Sequence, residues 1–499
     1  MSRLYEWFFH RENADFSKTI LTTQTGSYSL HDIQKEVEIY TSLLKQTGET
    51  RGKRIALIVP VVSSFLSLVL AANRLGAVVV PISPFLRSDD LTKILEFINP
   101  HIVFTIKQYN NFNFFEAVAQ WAHSAGGETI IYESDDCSAW NRTAIEGVPK
   151  YVENKPVDII ACTSGSTGIP KGVMVDLEFI QFGDKSLSTA MAFSKGDRLF
   201  GMVPVSGLFG LCLLLAAIKR ELHFVATESF SFPDIIQMLK ENPVNKLITS
   251  PSLFRALYLL TKGDENLFYQ SLTLVGLGGE NISPDFIEAV KPIKNCKLIG
   301  MYGLTEIGCI MFSKHDIREG IEWALIPGVE IHIANTSSGE GIGELAVKTP
   351  NGFLGYYRRP DLTEEVYRNG WFYTGDLART TGDAKIEIVG RKKDMIKKGG
   401  QQVIPGEIEK LLAGHPSVEK AVVVGVPHSI FGEQIVAFVV GKERIDEMDL
   451  YSFCQGKVAR YKVPDHIFIL DEIPVSQGKV DKVTLRQWAA EKIAGTSNK

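Results

Sequence analysis

Five short stretches hold the residue types that could do chemistry. The first runs from Thr163 to Gly172 and reads T-S-G-S-T-G-I-P-K-G. Its glycines, Gly165, Gly168 and Gly172, let backbone N–H groups turn toward an anion without a Cβ in the way. The hydroxyls of Thr163, Ser164, Ser166 and Thr167 add donors, and Lys171 adds a mobile positive charge. Such a segment can hold phosphate. It is not the common P-loop, because the sixth position from Gly165 is Pro170 and Lys171 is followed by Gly172. The competing reading is a surface hairpin rich in Ser and Gly.

The second stretch is Met301-Tyr302-Gly303-Leu304-Thr305-Glu306, at the end of a predicted strand. There Tyr302 can stack on a base, Thr305 can donate to phosphate and Glu306 can hold Mg2+; an ordinary strand end is the alternative. In the third, Trp371 to Leu377, Asp376 follows a glycine turn and can accept two hydrogen bonds from a ribose diol. Alone it reads more simply as a turn aspartate satisfying its own backbone. The fourth joins Gly390-Arg391-Lys392-Lys393-Asp394 to Ile396-Lys397-Lys398-Gly399-Gly400, a basic cluster that is either a solvated face or charge facing phosphate. The fifth, Pro474 to Lys479, puts a lysine on a turn near the C-terminus, by itself an exposed loop lysine.

The elements that must position these groups alternate. Arg54–Pro60 reads as a strand, Ser63–Leu75 as a helix ended by Gly76, Ala77–Pro81 and Ile102–Thr105 as strands, with a helix over Leu91–Phe97 between them. The apolar run Val157–Cys162 is a strand leading into the first stretch. Beyond it come helices over Leu177–Ala192 and Leu208–Ile218 and strands over Arg198–Val203, Lys246–Ser250, Leu272–Leu277 and Lys297–Met301. This βα alternation predicts parallel and mixed sheets covered by helices. Ser29 is placed to cap a helix starting near Leu30. From about residue 325 strand-and-turn segments dominate. Past the basic cluster a compact α+β segment has helices over 406–413 and 448–459 and strands over 418–425, 435–440 and 466–470. The expected division is a large domain, 1–390, and a small one, 391–499.

The totals fit a globular enzyme of more than one domain: 499 residues, 45% hydrophobic and 22% charged. A formal net charge of −5 gives no overall basic field to recruit nucleic acid or anionic membrane. Cys137, Cys162, Cys212, Cys296, Cys309 and Cys454 lack C-x-x-C spacing, which speaks against a zinc site or disulfide framework and for a reducing cytoplasm. The N-terminus lacks the form of a signal peptide. The uncharged window Ile55–Ala72 is long enough to raise a membrane span. Pro60 and three serines interrupt it, so it reads as a strand and a buried helix.

In this order and at these spacings the five stretches resemble the adenylate-forming superfamily of acyl-CoA synthetases, firefly luciferases and nonribosomal-peptide adenylation domains. The resemblance spans nearly the whole chain and includes Gly76–Pro81, Gly278-Gly279-Glu280, Gly343-Glu344-Leu345, His415–Val418 and Tyr461–Pro464. It implies a large N-terminal domain of sheets, helices and a distorted β-barrel, with a small mobile α+β C-terminal domain. The implied reaction joins a carboxylic acid to AMP from ATP, with Mg2+, releases pyrophosphate, and transfers the acyl group to a thiol, usually that of CoA. By resemblance, Thr163, Ser164, Gly165, Ser166, Thr167, Gly168 and Lys171 close over the phosphates. Gly279, Glu280, Tyr302 and Gly303 line the nucleotide site, with Tyr302 stacked on adenine. Thr305 contacts the α-phosphate, Glu306 ligates the metal, Asp376 binds ribose and Arg391 meets ribose or phosphate. Lys479 reaches in from the small domain during adenylation, Lys393 is the hinge and Gly400 lines the pantetheine path.

Pro204 to Gly210 departs from the family pattern. Gly207 stands where many relatives have a histidine, which leaves a roomier passage or one filled by Phe209. Val205, Ser206, Gly207, Phe209 and Gly278 are the expected acid pocket. No acidic residue lies between Phe200 and Lys219 to hold an ammonium group, so a fatty or aryl acid is expected rather than an amino acid. Arg255 could pair with a second carboxylate of a diacid. The acceptor is CoA or an acyl carrier protein; a non-catalytic homologue is the remaining alternative. The protein is expected to be a cytoplasmic monomer or homodimer with no stable membrane insertion.

Overall fold

The uncharged window 55–72 resolves into two buried pieces, as its interruptions predict. Arg54–Ile58 is a strand buried at every position, and Val62–Arg74 is a helix buried on all faces from Val62 to Asn73. Among the described residues no helix is long and apolar enough to cross a membrane. Arg54 begins this strand fully buried and donates to the carbonyls of Ile98, Asn99 and Tyr151 at 2.8–2.9 Å. The first two close the helix Ser88–Ile98, where carbonyls lack helical partners and a cation is favoured.

The computed structural model describes residues 3–11, 15–152, 155–163, 170–262, 270–334, 341–381, 385–399, 401–455, 457–476 and 479–496; the side chains of Asp285, Ser476, Lys479 and 494–496 fall outside that description. Within it, two large sheets form the N-terminal domain. One runs Gly355–Tyr356, Lys171–Val175, Ile159–Thr163, Val78–Pro81, Arg54–Ile58, Ile102–Ile106, Thr129–Ser134, Asn141–Ile145. The other runs Trp323–Leu325, Gly308–Ser313, Lys297–Leu304, Leu274–Leu277, Lys246–Thr249, Arg198–Gly201, His223–Val225, Thr19–Thr23, Gly26–Ser29. The centres of both are parallel and largely buried, as strands covered on both faces must be. The helix Leu177–Ala190 touches Lys171–Val175 of one sheet and Gly308–Ser313 of the other, and a single apolar cluster joins the two. The helix at Leu30 begins in a capping box: Ser29 Oγ accepts from Asp32 N, and the Asp32 carboxylate accepts from Ser29 N at 2.9 Å.

A third, antiparallel sheet runs Glu330–Ala334, Ile342–Lys348, Trp371–Thr381, Tyr367–Arg368, with Lys385–Arg391 also paired to Trp371–Thr381. Register shifts at Glu344/Ala346 and Leu377/Ala378 bend it into a half-barrel, in keeping with the distorted barrel expected.

The C-terminal α+β domain is built on the strand pair Val418–His428 and Gly432–Gly441. Side chains alternate across it. Val423, Ile435, Ala437 and Val439 pack under the helices Pro405–Ala413 and Glu447–Cys454. Val422, Val424, Val436 and Phe438 pack under Leu485 and Ala489 of the helix Lys482–Thr496. The helix expected to reach 459 stops at Cys454, where Gln455 turns extended. The C-terminal helix itself was not foreseen.

Candidate active site

Thr163 and Lys171 face each other as a cross-strand pair, because Ile159–Thr163 and Lys171–Val175 are antiparallel neighbours. The feet of the glycine-rich segment are thus fixed in one sheet. Ser164, Gly165, Ser166, Thr167 and Gly168 lie outside the described residues.

The strand Lys297–Leu304 carries Tyr302 to the carboxyl end of the second sheet, three residues past the predicted strand end. It continues as an antiparallel pair with Gly308–Ser313, which places Thr305 and Glu306 in the intervening turn. Gly303 is a steric requirement: a Cβ there would lie 2.1 Å from the carbonyl oxygen of Gly308. Brought to this point, Tyr302 Oη donates to Asp376 Oδ2 at 2.5 Å. Asp376 is 3% exposed and lies within the strand Trp371–Thr381, so the simple turn reading fails for it. Its cross-strand partner is Arg391, whose Nε donates to Asp376 Oδ1 at 2.6 Å. Burial raises the Asp376 carboxyl above the usual carboxylate range, opposed by the Arg391 guanidinium, the Tyr302 hydrogen bond and Lys393. Burial and the neighbouring carboxylate push the Tyr302 phenol well upward, so it remains a donor.

Two residues that sequence reasoning missed complete this corner. Glu344 accepts from the N–H of Gly375 at 3.1 Å and from Lys392 Nζ at 2.7 Å, tying the turn before Asp376 to the basic cluster. Its signal was the Gly343-Glu344-Leu345 segment, quoted without a role. Tyr356 Oη donates to Glu306 Oε1 at 2.6 Å, and the Lys171 ammonium lies 5.1 Å from the centroid of the same ring. Nothing in the local sequence distinguished that tyrosine from core.

Cations converge around these carboxylates. Lys393 is shifted downward first by burial and then by Arg391, Arg486 and Lys171, with Asp394 opposing. Asp394 holds Lys482 at 3.5 Å and Arg486 at 3.4 Å, joining the short 3-10 turn Lys392–Asp394 to the C-terminal helix. Lys479 sits in a two-residue strand paired with Val475–Ser476, its side chain outside the described residues; Gly400 lies outside them entirely.

The residues expected to line the acid pocket fall at the start of the buried helix Leu208–Lys219. Gly207 has ordinary φ, and a Cβ there would meet only the Pro204 carbonyl oxygen at 3.4 Å, whereas at Gly210 the same atom would be 2.1 Å away. Phe209, the alternative filler of that passage, is 38% exposed. Gly278 follows the strand Leu274–Leu277, and Gly279 has φ +81°. Glu280 accepts from Ser252 N and Oγ at 3.1 and 2.8 Å. Arg255, weighed as a partner for a diacid, pairs instead with Glu419 of the C-terminal domain at 3.3 Å.

The donor set suits Mg2+. Glu306 offers one hard carboxylate, its Oε2 taking no donor among the described residues, and no group of three His, Cys, Asp or Glu gathers there to form an all-protein cage. A single carboxylate supplemented by phosphate and water is this ion's usual protein setting.

A buried aspartate held between a half-buried tyrosine and an exposed arginine at the carboxyl end of a sheet, beside a cation cluster, defines a nucleotide-handling enzyme. The AMP-binding enzyme family model matches residues 8–357 and the AMP-binding enzyme C-terminal domain matches 407–479; the chain belongs to this family of adenylate-forming enzymes. It is 26% identical over 498 residues to the fatty acid–[acyl-carrier-protein] ligase ScoC of Streptomyces coeruleorubidus, covering 96% of this chain and 94% of that one. It is 26% identical over 511 residues to a long-chain-fatty-acid–CoA ligase of Escherichia coli O6:H1, covering 92% and 90%. The fold matches that of ATP-bound MatB from Rhodopseudomonas palustris with a TM-score of 0.83 and 24% identity, over 97% of this chain and 98% of that one.

Proposed function

We propose that the protein activates a fatty or aryl carboxylic acid with ATP and passes the acyl group to the thiol of CoA. In the first step a carboxylate oxygen forms a bond to the α-phosphorus, the bond to the bridging oxygen breaks, and pyrophosphate leaves. In the second the thiol sulfur attacks the acyl carbon, AMP leaves, and the thiol proton passes to solvent. The observation that carries this reading is the hydrogen-bonded set Tyr302–Asp376–Arg391 beside Lys171, Lys393 and Glu306.

Asp376 retains lone pairs for the ribose hydroxyls while Tyr302 and Arg391 hold it in place. Lys171, with the backbone and hydroxyls of the preceding segment, balances the leaving pyrophosphate. Thr305 donates at the α-phosphate. When bound, Mg2+ held by Glu306 supplies charge neutralisation on the phosphates. Lys479 meets the carboxylate and α-phosphate oxygens where negative charge builds up. Lys393 serves as the hinge about which residues 391–499 swing to clear Lys479 and open the thiol path past Gly400. The apolar lining at Val205 and Leu208 supports a fatty or aryl acid, and the open Gly207 supports a wide passage. The free thiols of all six cysteines support work in the cytoplasm.

A panel of fatty and aryl acids, scored by pyrophosphate release with and without CoA, tests the reading. Release should depend on the acid, and acyl-CoA should appear only when CoA is added. Lys479→Ala should lower acid-dependent release by about 10²–10³-fold while ATP still binds; full activity in that variant removes Lys479 from the mechanism. Lys393→Pro should slow acyl-CoA formation more than pyrophosphate release, and equal losses count against the hinge. The similarity to ScoC favours one second reading, transfer to an acyl carrier protein; acylation of a carrier in place of CoA would select it.

A further inference from the structure

Tyr356 is 4% exposed, as a core aromatic would be, but its hydroxyl has a specific target. The backbone around it is held from several sides. Tyr356 N donates to Thr363 Oγ1 at 2.9 Å, and Gly355–Tyr356 pairs with Lys171–Val175, the exit arm of the glycine-rich hairpin. Phe353 packs edge-on to the ring at 5.0 Å, and Phe353 N donates to the Glu306 carbonyl at 2.9 Å. From this fixed ring the hydroxyl donates to Glu306 Oε1, and the Lys171 ammonium sits over the ring at 5.1 Å from its centroid. Burial first, then the Glu306 charge, drives the phenol's pKa upward, so it stays protonated and can only donate to the carboxylate. One side chain therefore meets both the candidate metal carboxylate and the lysine at the foot of the phosphate segment, two groups 135 residues apart in the chain.

We propose that Tyr356 is a positioning residue for adenylation: its hydroxyl fixes Glu306 by Oε1, leaving Oε2 for the ion carried with ATP, and its ring steadies Lys171 beside the phosphates. This rests on the reading of Glu306 given above. Carboxylates that bind metals are commonly oriented by such a second hydrogen bond, and its loss typically costs 10- to 100-fold in metal affinity. Cation–π contact with Lys171 adds a preference for the ammonium at the ring face.

Tyr356→Phe keeps the ring and removes only the donor. Mn2+ titrated by electron paramagnetic resonance into the full-length protein with α,β-methylene-ATP should bind about tenfold more weakly in this variant. Binding of the metal-free analogue, measured in EDTA, should be unchanged. In a Glu306→Gln background, Tyr356→Phe should cause no further loss, because the hydroxyl acts through that carboxylate. Parental Mn2+ affinity in Tyr356→Phe, with a loss in Glu306→Gln, overturns the positioning role and leaves the proposed reaction intact. Equal losses of metal-free and metal-bound analogue, or additive losses in the double variant, assign Tyr356 to the fold alone. Unchanged Mn2+ binding in Glu306→Gln removes that residue as a metal ligand and this inference with it.

Discussion

At Asp376 a buried carboxylate meets a phenol and a guanidinium, with each oxygen taking one of them. Asparagine there keeps the shape but must set its NH2 group against one of two donors. Asp376→Asn should weaken AMP binding by about tenfold or more, the scale of one lost hydrogen bond to a charged group. Calorimetric titration with AMP measures this; parental affinity would take Asp376 out of the ribose site. The sequence named Tyr302, Asp376 and Arg391 but could not join them. Asp376 and Arg391 meet through strand register, and Tyr302 arrives from 74 residues upstream. Tyr356 was illegible for a related reason: an aromatic after a glycine looks like core until the partner of its hydroxyl, 50 residues away, is located.

Among the elements, the antiparallel turn that presents Thr305 and Glu306 depends on the absence of a side chain at Gly303. Gly303→Ala must push the strand Lys297–Leu304 away from Gly308–Ser313, since the obstruction is backbone. Overpacking of this kind costs about 1–3 kcal/mol. Thermal unfolding should show a lowered midpoint for Gly303→Ala and little change for Gly207→Ala, where the new methyl has room. Equal behaviour of the two variants would mean the strands part freely. Elements with continuous apolar runs were legible, as at Ile55–Ile58 and Val78–Pro81, because both faces are covered. The strand Gly308–Ser313 was not: its identity comes from pairing with the unforeseen continuation of its neighbour through Tyr302 to Leu304. The expected helix past Cys454 failed because pattern alone did not show where Gln455 leaves the helical region.

Across the whole molecule, one buried and one half-buried histidine set a pH response. His101 is lowered to about 3 by burial, Arg54 and Lys150, and His223 to about 4 by burial, Arg198 and Lys18. Both have an ordinary value of 6.5 when unfolded. Between that value and their folded ones, the unfolded chain binds protons that the folded chain refuses. Their contribution to stability is therefore present above pH about 6.5 and is lost as pH falls toward 4 and then 3. The unfolding midpoint should drop between pH 7 and pH 5, and the double variant His101→Gln/His223→Gln should drop less steeply; identical slopes would place the acid response elsewhere. The alternating apolar pattern of the C-terminal domain has a different consequence, for how such sequences drift. The pair Val418–His428 and Gly432–Gly441 is a partition with its own helical layer on each side. A volume change at Val423 is answerable at Ile408, Leu412 or Leu450, and one at Val424 at Leu485 or Ala489. Relatives should therefore exchange residues in two independent blocks, each compensating within itself, although the two sets alternate residue by residue along the same strands.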